Sequence, residues 1–81
     1  MNEKIIKMYS RPWCSDCHRA KQFLEEHGVA YEEINIDDDP EAEALVAEQN
    51  GGRPRTPTFE IEGRYYGDPP LDELGRLLGI S

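Results

Sequence analysis

Two cysteines separated by two residues, Cys14 and Cys17, have the type and spacing needed for redox chemistry. Positions i and i+3 of a helix share one face, so the two sulfurs can meet as a disulfide. A thiol attacks as its thiolate, and the free N–H groups and positive dipole end of a helix N-terminus stabilise that anion. We therefore expect Cys14, at the exposed tip of a helix, to be the nucleophile. Cys17, one turn further in, is expected to resolve the mixed disulfide.

Three side chains next to the cysteines bear on the reactivity of Cys14. Arg11 is expected to bring a positive charge near the sulfur, which favours the thiolate, whereas the carboxylate of Asp16 disfavours it. We expect the helix dipole and Arg11 to prevail if Asp16 points to solvent, which the helical geometry permits without requiring it. Trp13 has two interpretations: a shield for the sulfur that also contacts a substrate, or ordinary packing at the end of the sheet.

A proline-rich segment ahead of a later strand is the second candidate for the site. X-Pro bonds are the peptide bonds that can be cis, and a cis Pro57 would leave the backbone groups of Thr56 free to pair with an extended thiol peptide beside Cys14. From the residues alone, a trans proline in a loop is the more common case. Arg11, Arg53 and Arg55 lie in the stretches that we expect to border the cysteines, either as scattered arginines on an acidic protein or as a local anion-binding patch.

Metal binding is the main chemical alternative for the two cysteines. A structural zinc site requires four ligands, and only His18 and His27 are available to complete one. We expect both histidines to lie at the surface or at a helix end, so no metal ligand is predicted. An iron–sulfur cluster bridged between two chains remains the other possibility.

The rest of the chain must position these residues, and its apolar spacing and breakers predict an α/β fold. Strands are expected at residues 4–9, 31–36, 58–62 and 65–66, and helices at 14–27, 41–49 and 71–78. Asp39 is a candidate N-cap with Pro40 at the first helical position, and Gly28 and Gly79 end their helices. A βαβ unit followed by a hairpin gives one four-stranded mixed sheet flanked by three helices, in the order β-α-β-α-β-β-α.

Size and charge restrict the classes of function. With 81 residues the chain has room for one small domain, which we place at residues 1–81. Its formal net charge of -8 argues against nucleic acid or an anionic membrane as partner, because both require a basic surface. We recognise neither a signal peptide nor a membrane-spanning run, and two cysteines are too few for a secreted disulfide scaffold. We therefore expect a cytoplasmic protein and, in the simplest case, a monomer.

These features together resemble the glutaredoxin family. The resemblance is carried by a strand followed by Arg-Pro-Trp-Cys14-x-x-Cys17, by Thr56-Pro57 ahead of a strand, and by Gly67-Asp68 before the last helix. It covers essentially the whole chain and is greatest to the mycoredoxins and to the small redoxins that reduce ribonucleotide reductase. The resemblance implies a thioredoxin-type fold, a cis Pro57, Cys14 as the nucleophile and Cys17 as the resolving thiol.

The same resemblance implies a binding site for a small thiol. Glutaredoxins hold glutathione with a basic residue three positions before the first cysteine, here Arg11, and with backbone groups of the residue before the cis-proline, here Thr56. They also use a Gly-Gly turn near the last helix, where this chain has Gly67 and Asp68. The candidate thiol-binding residues are therefore Arg11, Trp13, Arg55, Thr56, Pro57, Gly67 and Asp68.

This chain departs from the family pattern at three places. Ser15 and Asp16 stand between the cysteines instead of Pro-Tyr, so a rigid proline and an aromatic ring are replaced by a hydroxyl and a negative charge. Arg55-Thr56-Pro57 takes the place of the usual Thr-Val-Pro. Asp68 takes the place of the second glycine. The exchange chemistry needs only the cysteines and the proline.

We therefore predict a cytosolic thiol–disulfide oxidoreductase that uses a dithiol route on disulfide-containing proteins or on mixed disulfides with a low-molecular-weight thiol. No bound cofactor is expected. The electron donor is left open between glutathione, mycothiol, bacillithiol and a flavoprotein reductase. Two alternatives remain: a metal or iron–sulfur cluster carrier that uses the same cysteines, and a partner-specific redox module that recognises one protein disulfide.

Overall fold

Four strands and three α-helices alternate along the chain in the predicted order. The computed structural model describes residues 6–80, so Lys4 and Ile5, which belong to the first predicted strand, lie outside the described residues. The strands are β1 Ile6–Ser10, β2 Glu32–Asn35, β3 Thr58–Ile61 and β4 Arg64–Gly67, and the helices are α1 Ser15–Glu26, α2 Pro40–Gln49 and α3 Leu71–Leu78. The predicted α/β class is confirmed.

The strands form one mixed sheet in the order β2-β1-β3-β4. β1 pairs in parallel with β2 and antiparallel with β3, and β3 pairs antiparallel with β4. A parallel pair needs a crossover, which α1 supplies, whereas a tight turn is enough for β3 and β4. Tyr9 in β1 lies opposite Thr58 in β3. The loop after β1 and the loop before β3 therefore meet at one end of the sheet, and they bring Cys14 and Pro57 together.

Apolar side chains are buried on both faces of the sheet, as expected when helices cover both faces. The larger cluster includes both cysteines and joins the sheet to α1 and α3: Ile6, Met8, Cys14, Cys17, Ala20, Leu24, Phe59, Ile61 and Leu74. The smaller cluster lies beneath α2 and consists of Tyr9, Ile36, Ala42 and Val46. Met8 and Tyr9 are adjacent in β1 and belong to opposite clusters because successive strand side chains point to opposite faces.

Local signals place two helix ends correctly. The Asp39 side chain accepts a hydrogen bond from the backbone N–H of Ala42 at 3.1 Å, and Pro40 occupies the first helical position of α2. Gly79 ends α3 with φ of 77°, a left-handed conformation that glycine adopts without a steric cost. Both ends were predictable because each depends on neighbouring residues only.

Several boundaries differ from the sequence prediction by one residue. α1 begins at Ser15, with Cys14 as its N-cap rather than its first residue. β2 is shorter than predicted because Ile36 starts a 3-10 helix, Ile36–Asp38, in which the Asn35 side chain accepts from the N–H of Asp37 at 2.9 Å. β4 begins at Arg64 instead of Tyr65.

The earlier start of β4 follows from the position of its turn. Glu62 and Gly63 both have positive φ, 52° and 82°. Two consecutive left-handed residues form the type of turn that joins paired strands most closely. The predicted turn at Gly63 and Arg64 was therefore wrong by one residue.

Candidate active site

Cys14 is the N-cap residue of α1, and its sulfur lies over the first turn of that helix. The backbone N–H of Cys17 donates to Cys14 Sγ at 3.1 Å, and the Cys14 thiol lies 3.6 Å from the carbonyl oxygen of Thr56. A hydrogen bond from the helix N-terminus stabilises a thiolate at this position. Cys14 is only 8% exposed, so the prediction of an exposed tip was wrong. The sulfur is covered because it turns back toward the helix and faces the loop before β3.

Cys17 lies in the next turn of α1 and is 1% exposed. Burial, followed by a hydrogen bond with Cys14, raises the pKa of the Cys17 thiol to about 12. Hydrogen bonds from the Arg11 backbone and from the Thr56 side chain act in the opposite direction without reversing the shift. Both cysteines are free thiols. The pair is therefore asymmetric, with Cys17 held in its protonated form deeper in the core.

The loop before β3 presents its backbone to Cys14. The Thr56–Pro57 peptide bond is cis, as the resemblance to glutaredoxins implied. Pro57 is buried, and its carbonyl oxygen accepts a hydrogen bond from the backbone N–H of Asp68 at 2.7 Å. The structure thus brings together Cys14, Thr56, Pro57 and Asp68, four of the predicted site residues.

Arg11 does not have the environment that the sequence suggested. Its Nε donates to Asp37 Oδ1 at 2.9 Å and one of its terminal nitrogens donates to Glu43 Oε2 at 2.7 Å. The side chain is 14% exposed. We expected its charge to act near Cys14 and to help hold a small thiol, but two carboxylates already pair with the guanidinium. The acidic stretch between residues 37 and 43 is the physical reason.

Trp13 lies at the surface beside Cys14. The side chain is 71% exposed, so the interpretation as packing at the end of the sheet was wrong. The guanidinium carbon of Arg11 lies 5.4 Å from the centre of its ring, within the range of a cation–π contact. Trp13 therefore offers an apolar contact next to the reactive sulfur.

A groove of about 410 Å³ lies next to the cis-proline. It is lined by Asp16, Arg19, Ala20, Pro57, Asp68, Pro69, Pro70 and Leu71. Asp16 forms an ion pair with Arg19 and faces Asp68. Burial, together with the nearby Asp16 carboxylate, raises the pKa of Asp68. The groove thus combines apolar walls with a pair of carboxyl groups.

Gly67 and Arg55 lie next to each other near the start of β3. Gly67 ends β4 next to Asn50 and Arg55, and a methyl group at its Cα would overlap the Asn50 side-chain oxygen. Arg55 is exposed, and its carbonyl oxygen accepts from the Thr58 hydroxyl at 2.6 Å. Asn50 was missed as a site residue because its sequence context, Asn-Gly-Gly, indicates only the end of a helix.

The two histidines are engaged locally. His18 Nε2 lies 2.9 Å from the carbonyl oxygen of Pro12, and His27 Nδ1 lies 2.9 Å from that of Phe23. Within residues 6–80, no three His, Cys, Asp or Glu side chains are grouped so that they could hold a metal ion. In the same part of the chain, no helix has the length and apolar character needed to cross a bilayer.

Comparison with known proteins agrees with this geometry. Residues 6–66 match the family model Glutaredoxin. A Mycobacterium tuberculosis protein assigned by name to the glutaredoxins is 31% identical over 70 residues, which cover 85% of this chain and 83% of the relative. The glutaredoxin-like protein NrdH of Lactococcus lactis is 41% identical over 44 residues, 54% of this chain and 61% of the relative.

Solved structures give the same result. A point variant of the thioredoxin-like protein BC3987 has a TM-score of 0.83 and 32% identity, covering 94% of this chain and 96% of that chain. The glutaredoxin-like NrdH-redoxin from Escherichia coli has a TM-score of 0.73 and 30% identity, covering 89% and 92%. Fold and site together define a thiol–disulfide oxidoreductase of the thioredoxin-like fold. The chain belongs to the glutaredoxin family.

Proposed function

We propose that this protein reduces protein disulfides, or mixed disulfides with a low-molecular-weight thiol, by a dithiol mechanism. The observation that carries the proposal is the position of Cys14 Sγ, which receives the Cys17 N–H at 3.1 Å and faces Thr56 beside the cis-proline. A substrate disulfide that lies along this loop has a sulfur within reach of the nucleophile. The backbone of Thr56 is available to an extended segment on the same side.

In the first step, the Cys14 thiolate attacks one sulfur of the substrate disulfide. The substrate S–S bond breaks, a new bond forms between Cys14 and the attacked sulfur, and the other sulfur leaves as a thiolate that takes up a proton. The substrate is then held covalently at the end of α1. Trp13, which is 71% exposed beside Cys14, provides an apolar surface for this intermediate.

In the second step, Cys17 loses its proton and attacks Cys14 Sγ. The mixed disulfide breaks, the second substrate thiol is released, and Cys14 and Cys17 form an intramolecular disulfide, so two electrons have passed to the substrate. The raised pKa of Cys17 keeps it protonated until a mixed disulfide forms. This asymmetry gives the first attack to Cys14.

Re-reduction of the Cys14–Cys17 disulfide requires two electrons from an external donor. Either two molecules of a low-molecular-weight thiol supply them and become a disulfide, or a flavoprotein reductase does. The E. coli NrdH-redoxin, described by its thioredoxin-like activity profile, supports a role on protein disulfides for this chain. We place this cycle in a reducing compartment such as the cytoplasm, where thiols are kept reduced.

Trapping tests the mechanism. In the Cys17→Ser variant the second step is blocked, so incubation with a disulfide-containing protein should give a stable mixed disulfide at Cys14 that mass spectrometry can locate. The matched Cys14→Ser variant should give none. Trapping through Cys17 in the absence of Cys14, or no trapping in either variant, would contradict the proposal. The reduction potential should lie between about -270 and -200 mV, the range of thioredoxins and glutaredoxins.

A further inference from the structure

Arg11 connects the turn that carries Cys14 to the α2 side of the molecule. Its carbonyl oxygen accepts a hydrogen bond from the backbone N–H of Cys14 at 3.2 Å. The conformation of this residue therefore affects the position of the Cys14 sulfur. Whatever fixes the Arg11 side chain also restrains the turn that carries Cys14.

The Arg11 side chain is fixed by two carboxylates from different elements. Asp37 belongs to the 3-10 helix after β2, and Glu43 belongs to α2. Each accepts one charge-assisted hydrogen bond, at 2.9 Å and 2.7 Å, from a different nitrogen of the guanidinium. Because the guanidinium is planar and rigid, two contacts on different nitrogens determine its orientation as well as its position.

This pairing leaves the guanidinium poorly suited to bind a further anion. One positive charge faces two negative charges, and the side chain is only 14% exposed. A small thiol that presented a carboxylate here would meet the repulsion of Asp37 and Glu43. Arg11 is also absent from the residues that line the groove beside Pro57.

We propose that Arg11 is a positioning residue, which Asp37 and Glu43 clamp so that it fixes the turn bearing Trp13 and Cys14. It does not bind the carboxylate of a small thiol, the role that the family pattern suggests for this position. The effect on turnover rests on the function proposed above, whereas the placement of Trp13 does not. The substrate class that follows is a protein disulfide, or a thiol recognised without a carboxylate at this end of the site.

Four variants test the proposal. Arg11→Gln removes the charge, Arg11→Lys keeps the charge but loses the planar fork, and Asp37→Asn with Glu43→Gln removes the clamp. The matched control is Glu41→Gln with Glu48→Gln, which changes the net charge by the same amount on exposed positions of α2. If Arg11→Gln fails to fold, Arg11→Lys and the clamp variant still carry the test.

The first measurement is steady-state reduction of two mixed disulfides of one cysteine peptide, with glutathione or with its diethyl ester. Under our proposal, Arg11→Gln lowers kcat/KM for both substrates by the same factor, within about twofold. If Arg11 bound the carboxylate, Arg11→Gln would lower kcat/KM roughly tenfold more for the glutathione mixed disulfide than for the ester mixed disulfide, because hydrogen bonds to charged groups have about that effect. That difference would overturn the proposal.

The clamp variant separates the two roles by the sign of its effect. If Asp37 and Glu43 hold a positioning residue, their neutralisation lowers kcat/KM for both substrates, as Arg11→Gln does. If they merely mask a carboxylate-binding residue, their neutralisation frees the guanidinium. KM would then fall for the glutathione mixed disulfide and not for the ester mixed disulfide, which would overturn the proposal. The Glu41 and Glu48 control should leave both values within about twofold of the parent.

The second measurement needs no turnover. Trp13 is the only tryptophan in the chain, so time-resolved fluorescence anisotropy of the reduced protein reports its local motion directly. The fast component should increase in Arg11→Gln and in the clamp variant, increase less in Arg11→Lys, and stay unchanged in the control. Unchanged anisotropy in the clamp variant would overturn the proposal. Because this signal does not depend on catalysis, failure of the thiol-exchange function would be seen separately, as lack of trapping.

Discussion

Replacing Gly67 with alanine tests how closely the loop beside the active site is packed. A methyl group there would overlap the side-chain oxygen of Asn50 and lie 3.2 Å from Cδ of Arg55. Arg55 can move because it is exposed and flexible. Asn50 is held, since its amide nitrogen donates to the Val46 carbonyl at 2.8 Å and to the Thr58 hydroxyl at 3.2 Å. The added carbon therefore forces either strain or the loss of these hydrogen bonds.

The size of the effect can be worked out for both routes. Overpacking by one carbon costs about 1–3 kcal/mol, and displacing Asn50 forfeits two hydrogen bonds of about 1 kcal/mol each. Alanine also restricts the unfolded chain, which stabilises the folded protein by about 0.4–1 kcal/mol. We therefore expect Gly67→Ala to lower the free energy of unfolding by about 1–2 kcal/mol. For a chain of this size, the Tm should fall by about 4–16 °C.

Urea unfolding, followed by Trp13 fluorescence, measures this change. The double variant with Asn50→Ala removes the overlapping oxygen, so the cost of Gly67→Ala in that background should shrink by at least about 1 kcal/mol. If Gly67→Ala is within about 0.5 kcal/mol of the parent, or if the two substitutions are additive, Asn50 does not restrict this position. Asp68, the next residue, bonds Pro57, so the same variant should also slow disulfide reduction.

Three further predictions concern ionisation and capping. Iodoacetamide at pH 8 should modify Cys14 at least about tenfold faster than Cys17, because Cys17 is buried and its pKa is about 12; equal rates would contradict this asymmetry. The pKa values of Cys17 and Tyr9 rise from 9.0 and 10.0 to about 12 on burial, so the folded protein keeps protons that the unfolded chain releases. The free energy of unfolding should therefore fall between about pH 9 and 12, and Cys17→Ala or Tyr9→Phe should each flatten that slope; unchanged slopes would show that other groups cause it. Asp39→Ala should cost about 1 kcal/mol in urea unfolding because it removes the cap of α2, whereas a comparable loss in the Glu48→Ala control, at an exposed position of α2, would exclude a capping effect.

The order of strands and helices was predictable because its signals are local. Alternating apolar residues, the Asp39 cap and the glycine at position 79 each act within one turn of chain. The boundaries at Ile36 and Glu62 were not predictable to the residue. There the outcome depends on a hydrogen bond that the Asn35 side chain accepts from the Asp37 N–H and on a left-handed conformation at Glu62, neither of which a hydrophobic pattern encodes.

The reactive pair could be found from spacing, and its surroundings only partly. Cys14 and Pro57 meet because β1 and β3 are neighbours in the centre of the sheet, an arrangement that the glutaredoxin resemblance implied. The burial of Cys14 was not predicted because it depends on how the sulfur turns toward Thr56. The partners of Arg11 were missed because Asp37 and Glu43 lie 26 and 32 positions away in the sequence, among ten acidic residues between positions 25 and 48.

The ion pairs of Arg11 with Asp37 and Glu43 bear on how Cys14 is activated. A free Arg11 would act on the sulfur through a charge–charge interaction, which salt weakens over about 8–10 Å. Because two carboxylates, Asp37 and Glu43, pair with the guanidinium, the contact that the structure gives Cys14 Sγ at the end of α1 is the N–H of Cys17 at 3.1 Å. This is a short-range hydrogen bond in a nearly buried site, where salt has little access. Under the positioning role that we propose, Arg11 contributes to the reactivity of Cys14 by holding the geometry of the helix end.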